Sequence, residues 1–484
     1  MDVQRQAYAE GPGSAIGAPA VNWALASLSL AMLLSSLGTS IANVGLPSLA
    51  DAFDASFQKV QWVVLAYLLA ITTLIVGVGR LGDIIGRRRL LLAGIGLFTL
   101  ASGLSGIAPS LGMLIAARAV QGVGAAIMMA LTMAFVAETV VKERTGSAMG
   151  MLGSMSAVGT ALGPSLGGLL IAGFGWRAIF LVNVPLGIVA LGFAYRYLPI
   201  DRVAAKADRP GFDVAGTVLL ALTLAAFALA MTIRRGEFGL LNLALLLPAI
   251  LGVGLFLLVE ARAAAPLVRL AIFGNPVMSS SLAMSGLVST VMMATLVVGP
   301  FYLSLALGLR AAAVGLILSI GPIVAALSGV PAGRSVDRFG AQRMTIAGLI
   351  AMAAGSLGLS IIPSSFGIAG YVGPMTVITA GYALFQAANN TTVMSNALTD
   401  ERGVISGMLN LSRNLGLVTG ASAMGAVFAF GYATNDITTA RAEAVTTGMQ
   451  TTFAVATILI VGAILIAVAC GALARSRSMA MAGG

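Results

Sequence analysis

Runs of about 20 consecutive apolar residues follow one another along almost the whole chain, and they constrain its fold more than any other feature. A run of this length crosses the hydrocarbon core of a bilayer as one α-helix. We therefore predict fourteen membrane-spanning helices, numbered here as spans 1 to 14. Their approximate limits are 22–46, 60–80, 89–108, 111–137, 146–172, 178–197, 213–233, 240–260, 278–305, 312–333, 343–362, 369–397, 404–431 and 450–474.

The composition agrees with this class. Hydrophobic residues make up 58% of the 484 residues and charged residues only 9%, whereas soluble domains carry about 25% charged residues. The chain has no histidine and a single cysteine, Cys470, in the last apolar run. This excludes disulfide frameworks, Cys/His metal sites and histidine-based catalysis. We expect an all-α integral membrane protein with no cofactor and no metal.

Lysine and arginine alternate between the loops on the two sides of the predicted bundle. The two tails and the loops on their side carry about 19 of them, and the opposite loops carry about six. Since basic residues are retained in the cytoplasm, both termini are predicted to be cytoplasmic, in a multi-pass protein of the inner (plasma) membrane. The net charge of +10 is explained by these loops, and we expect no nucleic-acid partner. The first apolar run is long enough to remain as a helix rather than a cleaved signal.

A charged motif, G-R-x-x-D-x-x-G-x-x-R, occurs twice, at 79–89 and 333–343. We call these two segments the latch loops. Each joins two spans, so each is predicted to be a tight turn on the same side of the membrane. A topological role alone is one interpretation; the other is a gate in which Asp83 pairs with an arginine of the facing half. The candidate latch residues are Gly79, Arg80, Asp83, Gly86, Arg87, Arg88, Arg89, Gly333, Arg334, Asp337, Gly340, Arg343, Glu143 and Arg144.

The repeated motif also predicts two related halves. Glu143-Arg144 after span 4 is echoed by Glu401-Arg402 after span 12. If spans 1–6 correspond to spans 9–14, then spans 7 and 8 are an inserted pair. The predicted divisions are a tail at 1–20, an N-terminal six-helix bundle at 21–200, a linker with the inserted pair at 201–262, a C-terminal six-helix bundle at 263–475 and a tail at 476–484.

These residues resemble those of the major facilitator superfamily, and the plan of six, two and six spans is similar to its fourteen-helix drug:proton antiporter family. In span 4, residues 118–126 resemble the R-x-x-Q-G-x-G-x-A signature of that family. In span 5, residues 159–168 resemble its antiporter signature, and Trp176-Arg177 follows as it does there. The resemblance implies a secondary transporter that exports small organic molecules by proton antiport through alternating access.

Span 5 also has a physical interpretation of its own. Gly159, Gly163 and Gly167 recur at four-residue spacing, which clears one helix face for close contact, and Pro164 permits a bend. Gly168 completes the signature. Close packing alone is one explanation, and a pliable contact that sets which side of the protein opens is the other.

Several polar residues lie inside the predicted spans, where they are costly unless they meet a partner or a water-filled cavity. Arg118 and Arg413 are the two charges. Singly, each polar residue is better explained by a hydrogen bond between helices than by a contact with a ligand. Collected from five spans, they predict a central polar cavity for the substrate. The candidate cavity residues are Thr39, Ser40, Asn43, Trp62, Tyr67, Arg118, Gln121, Gln386, Asn389, Asn390, Asn410, Arg413 and Asn414.

Span 1 departs from the antiporter pattern, because Gly38 stands where an acidic residue is expected from the resemblance. No Asp or Glu lies near the middle of any predicted span. If transport is proton-coupled, the candidate proton sites are Asp51, Asp54 and Glu138. Two midplane arginines without a carboxylate also favour anionic or neutral substrates over lipophilic cations. An uncoupled facilitator, an exchanger or an uptake carrier is therefore the alternative to an antiporter.

Other classes of protein are less consistent with the sequence. A membrane enzyme would need catalytic groups at membrane depth, and the chain offers neither histidine nor paired carboxylates there. A receptor or a lipid scramblase on the same scaffold is a further alternative. No phosphate-binding loop is present. The expected partners are a small organic substrate, protons and the lipid bilayer; the sequence does not decide on an oligomer or an accessory protein.

Overall fold

The computed structural model describes residues 18–139, 145–199, 213–233, 240–263, 266–268, 270–395, 402–432 and 442–482. Every regular element in this part of the chain is a helix. Thirteen helices among these residues are long and apolar enough to cross a membrane, and Val158–Phe174 is a shorter apolar helix where span 5 is predicted. The predicted all-α membrane fold is confirmed.

The first six predicted spans contain breaks that the hydropathy pattern does not show. Span 2 is interrupted after Leu74 and span 6 after Leu181, while span 1 is followed by a short helix that begins with a proline in its first turn. The described helices are α1 (Ala18–Val44), α2 (Leu46–Phe53), α3 (Phe57–Leu74), α4 (Val78–Ile85), α5 (Arg87–Gly106), α6 (Leu111–Thr139), α7 (Thr145–Phe174), α8 (Ala178–Leu181) and α9 (Asn183–Tyr197).

The remaining spans contain two π-helical turns, Tyr302–Ala306 in span 9 and Gly420–Met424 in span 13. Two 3₁₀ turns, Leu270–Gly274 and Ser364–Phe366, lie between spans. The described helices are α10 (Val214–Thr232), α11 (Leu240–Arg262), α12 (Pro276–Phe301), α13 (Ala311–Phe339), α14 (Ala341–Ile361), α15 (Gly367–Ser395), α16 (Arg402–Thr419), α17 (Gly425–Tyr432) and α18 (Ala442–Ala482).

The latch loops are more helical than predicted. In the first, α4 continues to Ile85 and the reversal takes place at Gly86, whose φ is 107°. In the second, α13 continues to Phe339 and the reversal takes place at Gly340, whose φ is 87°. Side chains rarely adopt a positive φ, so glycine at these two positions permits a turn of one residue. The end of the bundle that carries both turns is called the latch end below.

The opposite end, called the distal end, is closed by three buried aromatic rings. Phe57 at the start of α3 lies 4.9 Å from Phe301 and 5.2 Å from Phe428, measured between ring centroids. All three side chains are completely buried. Because Phe57 belongs to span 2 and its partners to spans 9 and 13, this distal aromatic cluster joins the first six spans to the last six.

The glycine face of α7 packs against α1. Cβ atoms on its three spaced glycines would meet Leu33, Ser40 and Val44 of α1, so any side chain there would push the two helices apart. The glycines are Gly159, Gly163 and Gly167. Close helix contact, predicted from their spacing, is confirmed by this packing.

The same helix meets α13 near the distal end through backbone contacts. A Cβ atom on Gly168 would lie 2.5 Å from the Ala311 carbonyl oxygen, and one on Gly315 would collide with the Pro164 carbonyl oxygen. Helix α7 therefore touches α1 within the first half of the chain and α13 in the second half.

The inserted pair, α10 and α11, lies beside the junction of the two halves. Helix α10 contacts α3 as well as the Gly420–Met424 turn and α17 of span 13. At the distal end, Trp62 Nε1 donates a hydrogen bond to Thr232 Oγ1 over 3.0 Å. The pair is thus fastened to span 2 and touches both halves.

Substituting Gly315 by valine should open the distal end. The new side chain cannot fit against the Pro164 carbonyl, and overpacking of this kind costs about 1–3 kcal/mol. The measurement uses a Cys470→Ser background. In it, a cysteine that replaces Val297, one turn before Phe301 on the same face of α12, reports whether the distal end is closed. Its reaction with a maleimide added on the distal side should become at least about fivefold faster.

Gly329→Val is the matched control, because it lies on the same helix with no atom within 4 Å of a Cβ at that position. Equal labelling rates in the two valine variants would contradict the role of the contact between α7 and α13.

Candidate functional site

Arg118 is completely enclosed in the N-terminal half. Its Nε donates to the Val63 carbonyl oxygen over 2.9 Å, and its Nη1 donates to Gln121 Oε1 over 2.5 Å. The guanidinium carbon lies 4.0 Å from the centre of the Tyr67 ring. Hydrogen bonds and a cation–π contact replace the water that a charge at this depth has lost. The partner that the sequence requires for Arg118 is therefore provided by neighbouring helices.

The contacts around Arg118 continue into a network that joins four helices. Gln121 Nε2 donates to Ser102 Oγ of α5 over 2.7 Å. The Tyr67 hydroxyl of α3 donates to the Ser35 carbonyl oxygen of α1 over 2.8 Å. Arg118 Nη2 has no hydrogen-bond partner within the described structure. The network fixes these helices relative to one another and leaves one charged N–H group unused.

The polar residues predicted on span 1 lie mainly in the contact with α7. Ser40 Oγ lies within hydrogen-bond distance of the Gly159 carbonyl oxygen, at 3.3 Å. Asn43 Nδ2 donates to the Thr39 carbonyl oxygen of its own helix over 3.0 Å. Ser40 and Asn43 are buried, and Thr39 is half-buried. Of the three, Thr39 is the most exposed, and its Oγ1 donates to the Ser35 carbonyl oxygen of its own helix over 3.1 Å.

The polar residues of span 13 form a face directed away from α12. Ser412 Oγ donates to the Leu282 carbonyl oxygen of α12 over 2.6 Å, which fixes the rotation of α16. Asn410, Arg413 and Asn414, at i, i+3 and i+4, lie on the other side. Asn410 is exposed and the other two are half-buried. This placement fits a face that lines a water-accessible space.

Span 12 contributes to both packing and exposure. Asn389 is buried, and its Nδ2 donates to the Ser281 carbonyl oxygen over 3.3 Å. Gln386 is half-buried and Asn390 is exposed. Asn389 is therefore explained by a hydrogen bond between helices, while its two neighbours remain available to a solute.

One of the two predicted distal acids lines a separate cavity. Asp54 lines a cavity of about 370 Å³ together with Lys59 and Trp62. Asp54 and Asp51 are exposed. Trp62, which the sequence assigns to the substrate cavity, thus lies beside this distal space. The side chain of Glu138 lies outside the described residues.

The first latch loop makes contacts within the N-terminal half and with the segment that follows α11. Asp83 pairs with Arg87 of its own loop over 2.8 Å. Arg88 donates to the Tyr195 carbonyl oxygen, and Arg80 Nη2 donates to the Pro266 carbonyl oxygen over 3.2 Å. These contacts show what the charged groups bind when the distal end is closed.

The other predicted latch residues are accessible or undescribed. Gly79 and Gly333 have no atom within 4 Å of a Cβ at their positions, and Gly86 makes the turn described above. Glu143 and Arg144 lie outside the described residues. The exposed members are Arg89, Arg334, Asp337, Gly340 and Arg343.

Two arrangements are missing from the sequence-based predictions. Gln61 is completely buried, packs against Gly425, and has neither amide atom hydrogen-bonded in the described structure. Glu260 is also buried, although an acid two residues from the end of a span is expected at the membrane surface. Pairing between distant spans has no periodic signal, so neither arrangement follows from hydropathy.

A double-mutant cycle tests the network around Arg118. We expect Arg118→Met and Gln121→Leu each to destabilise the protein, because each leaves a buried polar partner unpaired. Their coupling energy should be about 1.5–3 kcal/mol, the range for a hydrogen bond to a charged group. Thermal unfolding in detergent, measured for both single variants and the double variant, gives this quantity. Strictly additive effects would contradict the hydrogen bond.

The chain matches the Major Facilitator Superfamily over residues 28–421. It is 32% identical to the uncharacterized transporter YebQ of Escherichia coli (strain K12) over 400 residues, which cover 82% of this chain and 87% of that protein. It is 29% identical to the multidrug efflux pump LfrA of Mycolicibacterium smegmatis, with 88% and 84% covered.

Among solved structures, the fold is similar to a bacterial homolog of the human lysosomal transporter Spinster in an inward-facing, unoccupied conformation. The TM-score is 0.68 at 15% identity, with 94% of this chain and 97% of that chain covered. The fold of this chain is therefore of the same type.

Proposed function

The chain belongs to the Major Facilitator Superfamily, and from this premise we propose that it exports small organic molecules by proton antiport through alternating access. Membership makes it a transporter rather than an enzyme. Export is supported by the span-5 signature and by the similarity to a multidrug efflux pump. In this proposal the protein is a member of the fourteen-helix drug:proton antiporter family. Span 5, which contains the shorter apolar helix Val158–Phe174, is then counted as a membrane helix beside the other thirteen.

The observation that carries alternating access is the contact between α7 and α13. The two backbones meet through Gly168 and Gly315, with no side chain between them. The adjoining distal aromatic cluster is apolar as well. These contacts are backbone packing and ring packing, so they can open and close as the halves rock.

The proposed architecture and orientation follow from the same premise. The two bundles at 21–200 and 263–475 move about a central cavity, and α10 and α11 stay beside their junction. The basic loops place the latch end and both termini in the cytoplasm of a plasma (inner) membrane protein. The distal end is then external, and this structure, closed at that end, faces inward.

The exposed face of α16 supports anionic or neutral substrates. Arg413 is a charge within a membrane span, accompanied by Asn410 and Asn414. Among the described residues, no acid lies near the middle of a span to neutralise it; Asp213 and Glu260 are at the ends of α10 and α11. A carboxylate or another hydrogen-bond acceptor on the substrate would complement this face.

Gly38 favours the alternative of an uncoupled facilitator, exchanger or uptake carrier. A Cβ at this position would lie 3.1 Å from the Tyr67 hydroxyl and 3.2 Å from the Phe98 ring. An acidic side chain at residue 38 would crowd Tyr67, which belongs to the network around Arg118, instead of facing open space. Proton coupling, if present, must therefore use another carboxylate or a proton carried by the substrate.

Proton coupling is tested by substrate-induced pH changes in proteoliposomes. We expect an outward-directed substrate flux to drive protons into the liposomes. The internal pH, reported by an enclosed dye, should fall only when protein and substrate are both present. A panel of one aromatic carboxylate, its methyl ester and one quaternary ammonium dye identifies the charge class. Substrate movement without any proton movement would contradict antiport and support the facilitator.

The substrate class is tested at Arg413. Arg413→Gln removes one charge-assisted hydrogen bond, worth about 1.5–3 kcal/mol, and should lower transport of the carboxylate about tenfold or more. Transport of the neutral ester should change little, and Arg413→Lys should recover part of the activity because it retains the charge. An equal loss for carboxylate and ester would show that Arg413 acts only on structure.

A further inference from the structure

Two carboxylates meet at the latch end of the inserted pair. Asp213 caps the N-terminus of α10, where its Oδ1 accepts a hydrogen bond from the Gly216 N–H over 2.7 Å. Glu260 lies near the last turn of α11, only 2% exposed, and its Oε2 accepts from the Val268 N–H over 3.0 Å. Each carboxylate thus has one oxygen held in place by the backbone.

The other two oxygens converge on the same space. A Cβ atom on Gly216 would lie 2.5 Å from Asp213 Oδ2 and 2.7 Å from Glu260 Oε1. Neither of these buried oxygens has a hydrogen-bond partner in the described structure. A side chain at residue 216 would fill the space, so glycine is what allows the two carboxylates to approach each other.

The charged groups that act on Glu260 come from two other elements. Asp213 of α10 is one, and Arg80 of the first latch loop is the other. Arg80 Nη2 also donates to the Pro266 carbonyl oxygen. Arg80 and Glu260 therefore hold the same short segment, residues 266–268, from two sides.

This segment connects the two halves. It follows α11 and leads through the Leu270–Gly274 turn into α12, the first helix of the C-terminal half. Arg80 belongs to the N-terminal half. The contacts at 266–268 therefore join the first latch loop to the chain that enters the second half.

We propose that Asp213 and Glu260 form a proton-binding site, and that its occupancy sets how firmly Arg80 and Glu260 hold residues 266–268 at the latch end. When the site is occupied, the O–H of one carboxyl group donates to the free oxygen of the other carboxylate. The proton comes from cytoplasmic water and returns there, and no covalent bond of the protein backbone or substrate changes.

The chemistry of the site favours a proton over a metal ion. Two carboxylates that share one site repel each other when both are ionised, and such pairs commonly hold one proton between them. Calcium would need six to eight oxygen ligands, and Arg80 places a positive charge beside the pair. No group of three or more metal-ligating side chains occurs among the described residues.

Loss of the proton should weaken the hold of Arg80 on the segment at Pro266, while Glu260 keeps its hydrogen bond to the Val268 N–H. The second negative charge draws the Arg80 guanidinium away from the neutral Pro266 carbonyl and toward the carboxylates. The linker to α12 is then restrained less. The inference rests on the proposed function, because it gives a proton-linked transporter a control point at its cytoplasmic end, but it requires no particular substrate.

The experiment is amide hydrogen exchange in nanodiscs, followed across about pH 5 to pH 8 and corrected for the intrinsic pH dependence of exchange. We expect the wild-type peptide that contains residues 266–274 to lose protection as the pH rises, by about tenfold or more. This step should disappear in Glu260→Gln, and in Gly216→Ala, which keeps both carboxylates but fills the space between them.

Asp213→Asn supplies an independent variant, since asparagine retains the helix cap; it should also lose the step. Glu443→Gln is the matched control, because Glu443 is exposed at the start of α18, and its step should equal that of the wild type. Wild-type behaviour in both Glu260→Gln and Asp213→Asn, or a wild-type step that depends on added divalent cation, would overturn the proposal.

The outcome is separable from that of the transport assay. If the protein moves substrate without protons but shows the expected pH-dependent loss of amide protection, antiport is refuted and the proposed carboxylate site is still supported. If the protein shows proton antiport but amide protection of the wild-type segment does not change with pH, the proposed function is still supported and the proposed proton-binding site is overturned.

Discussion

A charge in the hydrocarbon core of a membrane is costly unless polar groups surround it, and the rest of this structure depends on how that cost is met. Arg118 is enclosed by a carbonyl, an amide and an aromatic ring. Arg413 lies on a helix face that is partly exposed. Glu260 accepts a backbone hydrogen bond and lies near Arg80. For Arg118 and Glu260 the solution ties a charge to contacts between elements of the fold, so charge and helix arrangement are coupled there.

The two ends of the bundle are joined by different kinds of contact. At the distal end, the glycine backbones of α7 and α13 and three aromatic rings form an apolar seal. At the latch end, the hydrogen bond from the Arg80 guanidinium to the Pro266 carbonyl oxygen joins the first latch loop to the segment that enters the second half, and it depends on charge. An apolar seal responds little to protonation, whereas charged contacts respond directly. In the proposed antiport mechanism, control by protons therefore acts at the latch end.

The sequence predicts much of the fold because apolar runs and glycine spacing are local features. The predicted limits 89–108 and 343–362 lie within two residues of α5 and α14, and the packing of the three span-5 glycines follows their spacing. The site is less predictable. The helical extension of α4 to Ile85 depends on one positive φ at Gly86, which the motif alone does not reveal.

Long-range pairing accounts for what the sequence misses. The convergence of Phe57, Phe301 and Phe428, and that of Asp213 and Glu260, involves residues from separate spans that no periodicity connects. The sequence also places Trp62 with the central polar residues, but its hydrogen bond to Thr232 fixes it beside the distal cavity. Tertiary packing, rather than local preference, decides these positions.

In the proposed mechanism the two ends open alternately, and paired spin-label distances report this motion. One pair, at Ile107 and Ser365, spans the distal end; the other, at Arg196 and Ser395, spans the latch end, and all four residues are exposed. Alternating access predicts that conditions which lengthen the distal distance shorten the latch distance in the same molecules. Distances that lengthen together, or that stay constant at both ends during transport, would contradict it.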